Sequence, residues 1–244
     1  MGLAGIKIVL VEPAGPLNVG SIARVMKNFG LDNLVLVNPQ CDPLEEAAMK
    51  MGVHAQDILE SAVVVTTLPE ALQGCVRAIA TTARVRDWDT PLENPRTALP
   101  WLLELPDSPA ALIFGREDRG LSNQELNYAQ RFIRIPSSDN YPSLNLASAV
   151  GICCYELAQY SAPPTPPTTH DLASLDIVET YYQQLESLLL DIGYLYPHTA
   201  TTRMAKFRQL YNRAHLQTQE VAMLRGILRQ IEWAVKNQSN HENS

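Results

Sequence analysis

Three short polar segments of the chain contain residue types that suit the binding of a phosphate or another polar ligand. In the first, Pro16–Arg24, Gly20 lets another backbone or a phosphate approach closely, and the planar guanidinium of Arg24 offers a fixed fork for a phosphate. We expect Asn18 to cap the helix that this segment opens. The same spacing also fits an ordinary helix start with an arginine on its surface.

The second segment places four charged residues between two glycines, Gly115 and Gly120. Glycine permits a positive φ or a close backbone approach, so this loop can fold tightly around a ligand. The charged residues are Arg116, Glu117, Asp118 and Arg119. Because their charges cancel, a solvated loop with internal ion pairs is an alternative interpretation.

The third segment, residues 135–147, is a polar loop that runs into an apolar helix. Ser143 or Asn145 is expected to cap that helix and to leave its first amides free for an anion or a ligand carbonyl. A fourth and weaker candidate, residues 80–86, offers small and hydroxyl-bearing side chains beside two arginines. Threonine is equally common at strand ends that bind nothing.

Each polar segment follows a short apolar run of strand length. The six runs are Ile6–Val11, Leu34–Val37, Ala62–Val65, Val76–Thr81, Ala110–Phe114 and Phe132–Ile135. Their nearly all-apolar composition is typical of strands buried on both faces, and the helical segments between them predict an α/β domain with a mainly parallel sheet. One of these helices is expected to have Asp42 as its N-cap. Such sheets place ligands at the carboxyl ends of their strands, where the polar segments begin.

A stretch rich in proline and threonine marks a domain boundary. Residues 161–170 contain four prolines and three threonines, which favours an extended linker. We therefore predict an α/β domain at residues 1–160, a linker at 161–170 and a small helical extension at 171–244. Apolar residues three and four positions apart predict three helices in this extension, with narrow apolar seams along residues 175–192 and 221–235.

Composition excludes several classes of protein. The chain has 244 residues, of which 46% are hydrophobic and 18% charged, as in an ordinary globular protein. No run approaches the roughly 20 apolar residues of a membrane span. The amino terminus lacks a signal-peptide pattern, and neither the cysteines nor the histidines have ligand spacing. We therefore expect a cytoplasmic protein with no disulfide and no metal. Dinucleotide, nucleoside triphosphate and serine-hydrolase patterns are absent from the sequence.

The order of the polar segments resembles that of a known family. Asn18-x-Gly-Ser-x-x-Arg24 comes first, Phe114-Gly-x-Glu-x-x-Gly-Leu121 second, and Ile135-Pro136 with Ser143-Leu-Asn-Leu-Ala147 third. Residues 5–160 resemble the SPOUT superfamily of S-adenosylmethionine-dependent RNA methyltransferases, and within it the TrmH-like ribose methylases of the TrmJ type. The helical tail resembles that type more loosely.

This resemblance implies more about the fold than the patterning does. It implies a SPOUT-type parallel sheet whose carboxy-terminal half forms a trefoil knot, S-adenosylmethionine held in the knot loops, and a homodimer whose sites draw on both protomers. Knots are rare in proteins, so patterning alone predicts an open sheet.

The resemblance also assigns roles to individual residues. The residues implied to bind the cofactor are Thr81, Thr82, Ala83, Gly115, Ile135, Pro142, Ser143 and Leu144. The residues implied to face the ribose and phosphate of the RNA are Asn18, Arg24, Glu117, Ser143 and Asn145. We expect an electrostatic role for Arg24, because an arginine side chain is almost never deprotonated.

The implied reaction is 2′-O-methylation of a cytidine or uridine ribose at position 32, in the anticodon loop of tRNA, with no membrane or DNA partner. Another tRNA loop or ribosomal RNA is an alternative substrate; a non-catalytic RNA-binding module and a metabolite-binding scaffold are alternative classes. The net charge of −7 argues against a bulk electrostatic binder of nucleic acids, but residues 196–238 hold seven basic and two acidic side chains. Their arginines and lysines can contact phosphates or form the solvated face of a dimerisation helix.

Overall fold

A sheet of parallel strands forms the amino-terminal part of the molecule. The computed structural model describes residues 3–82, 91–105, 108–160 and 171–242. Its strands are β1 (Ile6–Val11), β2 (Leu34–Val37), β3 (Val63–Val65), β4 (Arg77–Thr81), β5 (Leu92–Glu93), β6 (Ala110–Phe114) and β7 (Arg131–Ile133). Their order across the sheet is β3-β2-β1-β6-β4-β7-β5, and all neighbours are parallel. The predicted α/β fold with a parallel sheet is confirmed; the short strand β5 was not predicted.

Burial of the strands follows their place in the sheet. All five residues of β6 are buried, because this strand pairs with β1 on one side and β4 on the other. Val63 and Val64 of β3 are 51% and 55% exposed. The prediction that every strand is buried on both faces is therefore wrong for β3, which lies at the edge of the sheet formed by the described strands.

Eight α-helices accompany the sheet within its described residues. They are α1 (Pro16–Asn28), α2 (Glu46–Gly52), α3 (Gln56–Glu60), α4 (Leu68–Ala71), α5 (Pro95–Ala98), α6 (Pro100–Leu103), α7 (Asn123–Leu126) and α8 (Leu146–Gln159). The predicted cap at Asp42 is wrong: its Oδ1 accepts the Leu44 N–H at 2.9 Å in a turn, and α2 starts only at Glu46. Asn18 does not cap α1 either, because the helix already begins at Pro16.

Helix α1 packs closely on α2 at a glycine. A Cβ on Gly20 would lie 2.2 Å from the Ala48 carbonyl oxygen, so this position has room for hydrogen only. Gly20 was expected to admit either another backbone or a phosphate, and the structure shows that it admits the backbone of α2. On the other side of α1, Gly151 of α8 faces Val25, and the rings of Phe29 and Tyr155 meet edge to face at 6.1 Å.

The chain separates into two compact units, Met1–Thr168 and Thr169–Ser244. The second unit contains α9 (Leu175–Asp191), α10 (Pro197–Ala214) and α11 (Thr218–Glu242). Its core includes Tyr182, Leu185 and Leu188, and the Tyr182 hydroxyl lies 2.9 Å from Asn212 Oδ1. The predicted seams are shorter than expected, since Ile192 and Ile231 are exposed. No helix in the described residues is long and apolar enough to cross a membrane.

Candidate active site

The loops that follow β4, β6 and β7 border a cavity of about 320 Å³. The residues that line it are Thr81, Thr82, Phe114, Gly115, Arg116, Glu117, Asp118, Arg119, Gly120, Leu121, Ile133, Ile135, Pro142, Ser143, Leu144, Leu146 and Ala149. Because the three strands are parallel, their carboxyl ends bring together segments that lie far apart in the sequence.

The cavity has an apolar wall and a polar edge. Ile133, Ile135 and Leu144 contribute to the wall. On the edge, the Thr81 hydroxyl lies 3.1 Å from the Ile113 carbonyl oxygen, and the Thr82 N–H donates to the Ile133 carbonyl at 2.9 Å. These bonds tie the end of β4 to both neighbouring strands, so the edge is held by the sheet itself.

The loop after β6 turns back sharply on its own backbone. A Cβ on Gly115 would lie 2.2 Å from the carbonyl carbon of Gly120, and Gly120 has a φ of +67°. The Gly120 N–H donates to the Arg116 carbonyl at 2.8 Å and closes the loop. Glycine is required at both ends because the first has no room for a side chain and the second has a left-handed backbone.

Most charges of this loop are paired. Arg116 Nε lies 3.1 Å from Asp118 Oδ1. Arg119 donates to Glu12 and Glu125, each at 2.9 Å, and Glu125 also forms a capping box with Ser122 at the start of α7. The side-chain hydrogen bonds to Glu125 and Glu12 raise the pKa of Arg119 further above its ordinary value. The alternative of internal ion pairs is thus correct for Arg116 but wrong for Arg119, whose carboxylate partners lie outside the loop.

Glu117 connects the loop after β6 to the loop before α1. Its carboxylate accepts the Ala14 and Gly15 N–H groups at 3.0 Å and the Asn18 side-chain amide at 2.9 Å. A Cβ on Gly15 would lie 3.2 Å from Glu117 Oε1, so glycine leaves room for this contact. Gly15 was not among the predicted site residues, although its place directly before Pro16, at the start of the first polar segment, could have indicated it.

A second bond extends this connection to the third segment. Asn145 Nδ2 donates to Asn18 Oδ1 at 2.9 Å, while Asn145 Oδ1 accepts the Ser148 N–H at 3.2 Å and caps α8. The predicted cap of α8 is confirmed for Asn145. Glu117, Asn18 and Asn145 therefore form one hydrogen-bonded chain, the clamp, which joins all three polar segments.

The clamp keeps the Glu117 side chain ionised. Burial alone would raise the pKa of its carboxyl, but the hydrogen bonds from Asn18, Ala14 and Gly15 outweigh burial and hold that pKa below its usual range. A carboxylate that already accepts three hydrogen bonds is poorly placed to take a proton from a ligand.

The structure brings together most of the residues for which a site role was predicted. Seven of them line the cavity as cofactor candidates: Thr81, Thr82, Gly115, Ile135, Pro142, Ser143 and Leu144. Ala83 lies outside the described residues. Of the other candidates, Glu117 also lines the cavity, and Asn18 and Asn145 reach it only through the clamp.

Arg24 lies apart from this group. It is exposed on α1 and does not line the cavity, and no described residue forms a hydrogen bond or ion pair with its guanidinium. Leu17, seven residues earlier on the same helix face, is exposed as well. This face of α1 therefore presents the Arg24 guanidinium, which has no partner among the described residues, together with exposed apolar surface.

Comparisons with known proteins agree along nearly the whole chain. The model of the SpoU rRNA Methylase family matches residues 5–155, and that of the tRNA methyltransferase TrmJ C-terminal domain matches residues 176–242. The tRNA (cytidine/uridine-2′-O-)-methyltransferase TrmJ of Cronobacter sakazakii is 40% identical over 240 residues, which cover 94% of this chain and 97% of that protein. The tRNA (cytidine/uridine/adenosine-2′-O-)-methyltransferase TrmJ of Pseudomonas aeruginosa is 41% identical over 237 residues, with 91% and 92% covered.

A solved structure shares the architecture. The crystal structure of TrmJ from Z. mobilis ZM4 superposes with a TM-score of 0.84 at 31% identity and covers 93% of this chain and 98% of that one. The predicted resemblance to TrmJ-type RNA ribose methyltransferases is thereby confirmed. With a family model matched over more than half of its length, the chain belongs to the SpoU rRNA Methylase family.

Proposed function

We propose that this protein transfers a methyl group from S-adenosylmethionine to the 2′-hydroxyl of a cytidine or uridine ribose in tRNA, at position 32 of the anticodon loop. One observation carries the proposal: the loops that bear the family motifs converge on a single cavity and are joined there by the clamp. Both relatives compared above are named for 2′-O-methylation of cytidine and uridine in tRNA.

The cavity suits S-adenosylmethionine in size and chemistry. A volume of about 320 Å³ is in the range of small-molecule sites. An adenine ring needs apolar walls and a few backbone hydrogen bonds, which Ile135 and Leu144 with their loop amides can supply. The residues we assign to the cofactor are Thr81, Thr82, Ala83, Gly115, Ile135, Pro142, Ser143 and Leu144. Bound there, the cofactor supplies a methyl group activated by its sulfonium charge.

The residues of the chain then mainly align the reacting groups and stabilise the charge that develops during methyl transfer. We assign Glu117, Asn18 and Asn145 to positioning, because the clamp holds the three loops around the cavity. Ser143 is exposed and lines the cavity, so its hydroxyl can bind the incoming ribose. The attacking hydroxyl releases its proton to solvent water during the reaction, and a nearby guanidinium lowers the cost of the developing negative charge.

Arg24 is our candidate for that guanidinium, supplied by a second copy of the chain. It is exposed and free of described partners, yet it does not line the cavity of its own protomer. Apolar side chains on the adjoining helices support a homodimer: Leu17 of α1 is 53% exposed, and Ile152 and Tyr155 of α8 are 37% and 46% exposed. A symmetric dimer through α1 and α8 would cover this surface and carry Arg24 towards the twin site.

We further propose the trefoil knot implied by the resemblance. It is supported by the strand order, in which the later strand β6 lies between β1 and β4, and by the loops after β4, β6 and β7 that meet at one cavity. We assign catalysis to residues 1–160, a linking role to 161–170, and RNA binding to the helical extension at 171–244. The protein would act in the cytoplasm, where its tRNA substrate is found.

Incubation with radiolabelled S-adenosylmethionine and unfractionated tRNA, followed by nucleoside analysis, tests the function. We expect label in 2′-O-methylcytidine or 2′-O-methyluridine, and mapping by mass spectrometry should place it at position 32. A parallel incubation with ribosomal RNA tests the alternative substrate: label that appears there and not in tRNA would identify ribosomal RNA as the substrate. Label on a base, or no label in any RNA, would contradict the proposal.

A further inference from the structure

A cluster of exposed aromatic side chains lies at the turn between α9 and α10, where neither the cofactor cavity nor the clamp extends. Tyr194 and Tyr196 are 53% and 55% exposed, whereas Leu195 between them is buried. Side chains of neighbouring residues point in different directions, so the buried leucine anchors the turn while both tyrosine side chains stay partly exposed, with the Tyr194 ring 6.5 Å from the Phe207 ring. Two partly exposed tyrosines on one turn present amphipathic rings of the kind enriched at binding interfaces.

The backbone of this turn is fixed from both sides. Gly193 has a φ of +74°, and its N–H donates to the Leu190 carbonyl at 3.1 Å. The Leu195 N–H donates to the Leu189 carbonyl at 2.9 Å, and the Tyr196 carbonyl accepts the Thr199 N–H at 2.8 Å at the start of α10. Because the backbone is held in this way, a ligand that binds the rings orders few additional bonds.

Each ring also has a neighbour that orients it. The His198 ring stacks on Tyr196 at a centroid distance of 5.9 Å and an angle of 21°. Arg203 donates to the Tyr194 carbonyl at 3.1 Å and places its guanidinium 5.6 Å from the centre of the Tyr194 ring. The four side chains of Tyr194, Tyr196, His198 and Arg203, here called the aromatic turn, thus combine exposed rings with a held cation.

The helix that continues from the aromatic turn is basic. Residues Pro197–Ala214 of α10 contain four basic residues and no acidic one. Arg208 is paired with Glu179, but Arg203 and Lys206, three residues apart on one side of the helix, are both exposed. Positive charge beside exposed rings is the combination that binds a flexible nucleic-acid strand, since bases stack on rings and phosphates bind cations.

We propose that the aromatic turn is a stacking platform for an unpaired nucleobase of tRNA, with Arg203 and Lys206 on the adjoining phosphates. This inference rests on the proposed tRNA substrate and names a specific RNA site in the carboxy-terminal unit. Stacking is tolerant of base identity, so the platform would add affinity for the tRNA without selecting the nucleotide that is methylated.

The test uses the full chain and a double variant, Tyr194→Ala with Tyr196→Ala, beside its conservative counterpart, Tyr194→Phe with Tyr196→Phe. Binding of fluorescent tRNA is measured by anisotropy at several salt concentrations, and methyl transfer is measured with tRNA in excess and at limiting concentration. We expect the alanine variant to bind tRNA at least about fivefold more weakly. The phenylalanine variant should bind like the wild type, because it keeps both rings.

Further readouts separate stacking from charge and from folding. The double alanine variant should keep the wild-type salt dependence, whereas Lys206→Ala should flatten it, since a lysine on a phosphate releases counterions and a tyrosine under a base does not. The KM for tRNA should rise in the alanine variant with kcat unchanged, and its melting temperature should stay at the wild-type value.

Two results would overturn the stacking platform while leaving the proposed tRNA substrate intact. One is unchanged tRNA affinity in the alanine variant while the wild type binds and methylates tRNA; a change in molar mass in that case would identify a protein interface instead. The other is equal loss of affinity in the alanine and phenylalanine variants. A wild type that neither binds nor methylates tRNA would instead contradict the proposed function.

Discussion

The Glu117 carboxylate binds three groups that lie about a hundred residues earlier in the chain: the amides of Ala14 and Gly15 and the side chain of Asn18. Glu117→Gln replaces one carboxylate oxygen with an amide NH2 group. This group donates hydrogen bonds, so it cannot accept them from the N–H groups that the carboxylate binds. We expect this variant to lose on the order of 1–2 kcal/mol of unfolding free energy at pH 7. Denaturant titration measures the loss, and a stability equal to the wild type would show that the clamp contributes nothing.

The stability lost in Glu117→Gln should also depend on pH. The pKa of Glu117 is lowered in the folded protein, so the unfolded chain binds more protons than the folded one as the pH falls below the ordinary carboxyl value of 4.5. The stability that Glu117 contributes is therefore fully present above that value and is lost below it. The difference in unfolding free energy between the wild type and Glu117→Gln should therefore shrink as the pH falls below 4.5. A difference that persists undiminished at the lowest pH would show that charge is not its cause.

Arg24 is the residue on which the electrostatic account of catalysis depends. Arg24→Lys keeps the charge and loses the planar fork, so we expect kcat to fall about tenfold or more while cofactor affinity is unchanged. Single-turnover methyl transfer and calorimetric titration with S-adenosylmethionine measure the two quantities. Full turnover by the lysine variant would exclude bidentate contact.

At the scale of elements, two helical glycines form a matched pair. Gly20 on α1 has the Ala48 carbonyl 2.2 Å from where its Cβ would lie, whereas Gly226 on α11 has open space. Gly20→Ala should therefore destabilise its unit by about 1–3 kcal/mol through overpacking. Gly226→Ala should instead stabilise its own by roughly 0.5–1 kcal/mol, because alanine is the better helix former. Thermal unfolding of both variants provides the comparison; destabilisation of similar size in both would exclude the α1–α2 contact as the cause.

The elements also show which features local patterns can predict. Strands β1, β2 and β6 have the predicted bounds, because each is an uninterrupted apolar run. Strand β5 has two residues and no such run. The cap of α8 was expected at Ser143 or Asn145 and lies at Asn145, since a cap depends on residues three positions apart.

Other roles depend on residues that are distant in the sequence. Asn18 was expected to cap α1, but it binds Glu117 and, 127 residues away, Asn145. No periodicity or spacing within one segment contains that information. The motifs predicted which loops belong to the site, and the strand order was needed to explain why those loops meet.

For the molecule as a whole, the two compact units predict separable functions. A chain limited to residues 1–160 should bind S-adenosylmethionine with nearly the affinity of the full chain and bind tRNA at least about tenfold more weakly, since the basic helix α10 and the exposed arginine and lysine side chains of the extension are lost. Calorimetry and filter binding measure the two affinities. Equal loss of both would contradict the assignment of RNA binding to the extension.

A mixed dimer tests most directly whether two copies of the chain build each site. One protomer carries Arg24→Ala; the other carries Leu144→Arg, which places a cation at the rim of the cavity beside a positively charged cofactor. Co-expression with two different tags and tandem purification isolates the mixed species. Each homodimer of a variant should be nearly inactive, but the mixed dimer retains one site with an intact cavity and an Arg24 from its partner. We predict about half of the wild-type methyl transfer to tRNA from the mixed dimer. Activity no higher than that of the two variants alone, or a chain that remains monomeric, would contradict the account.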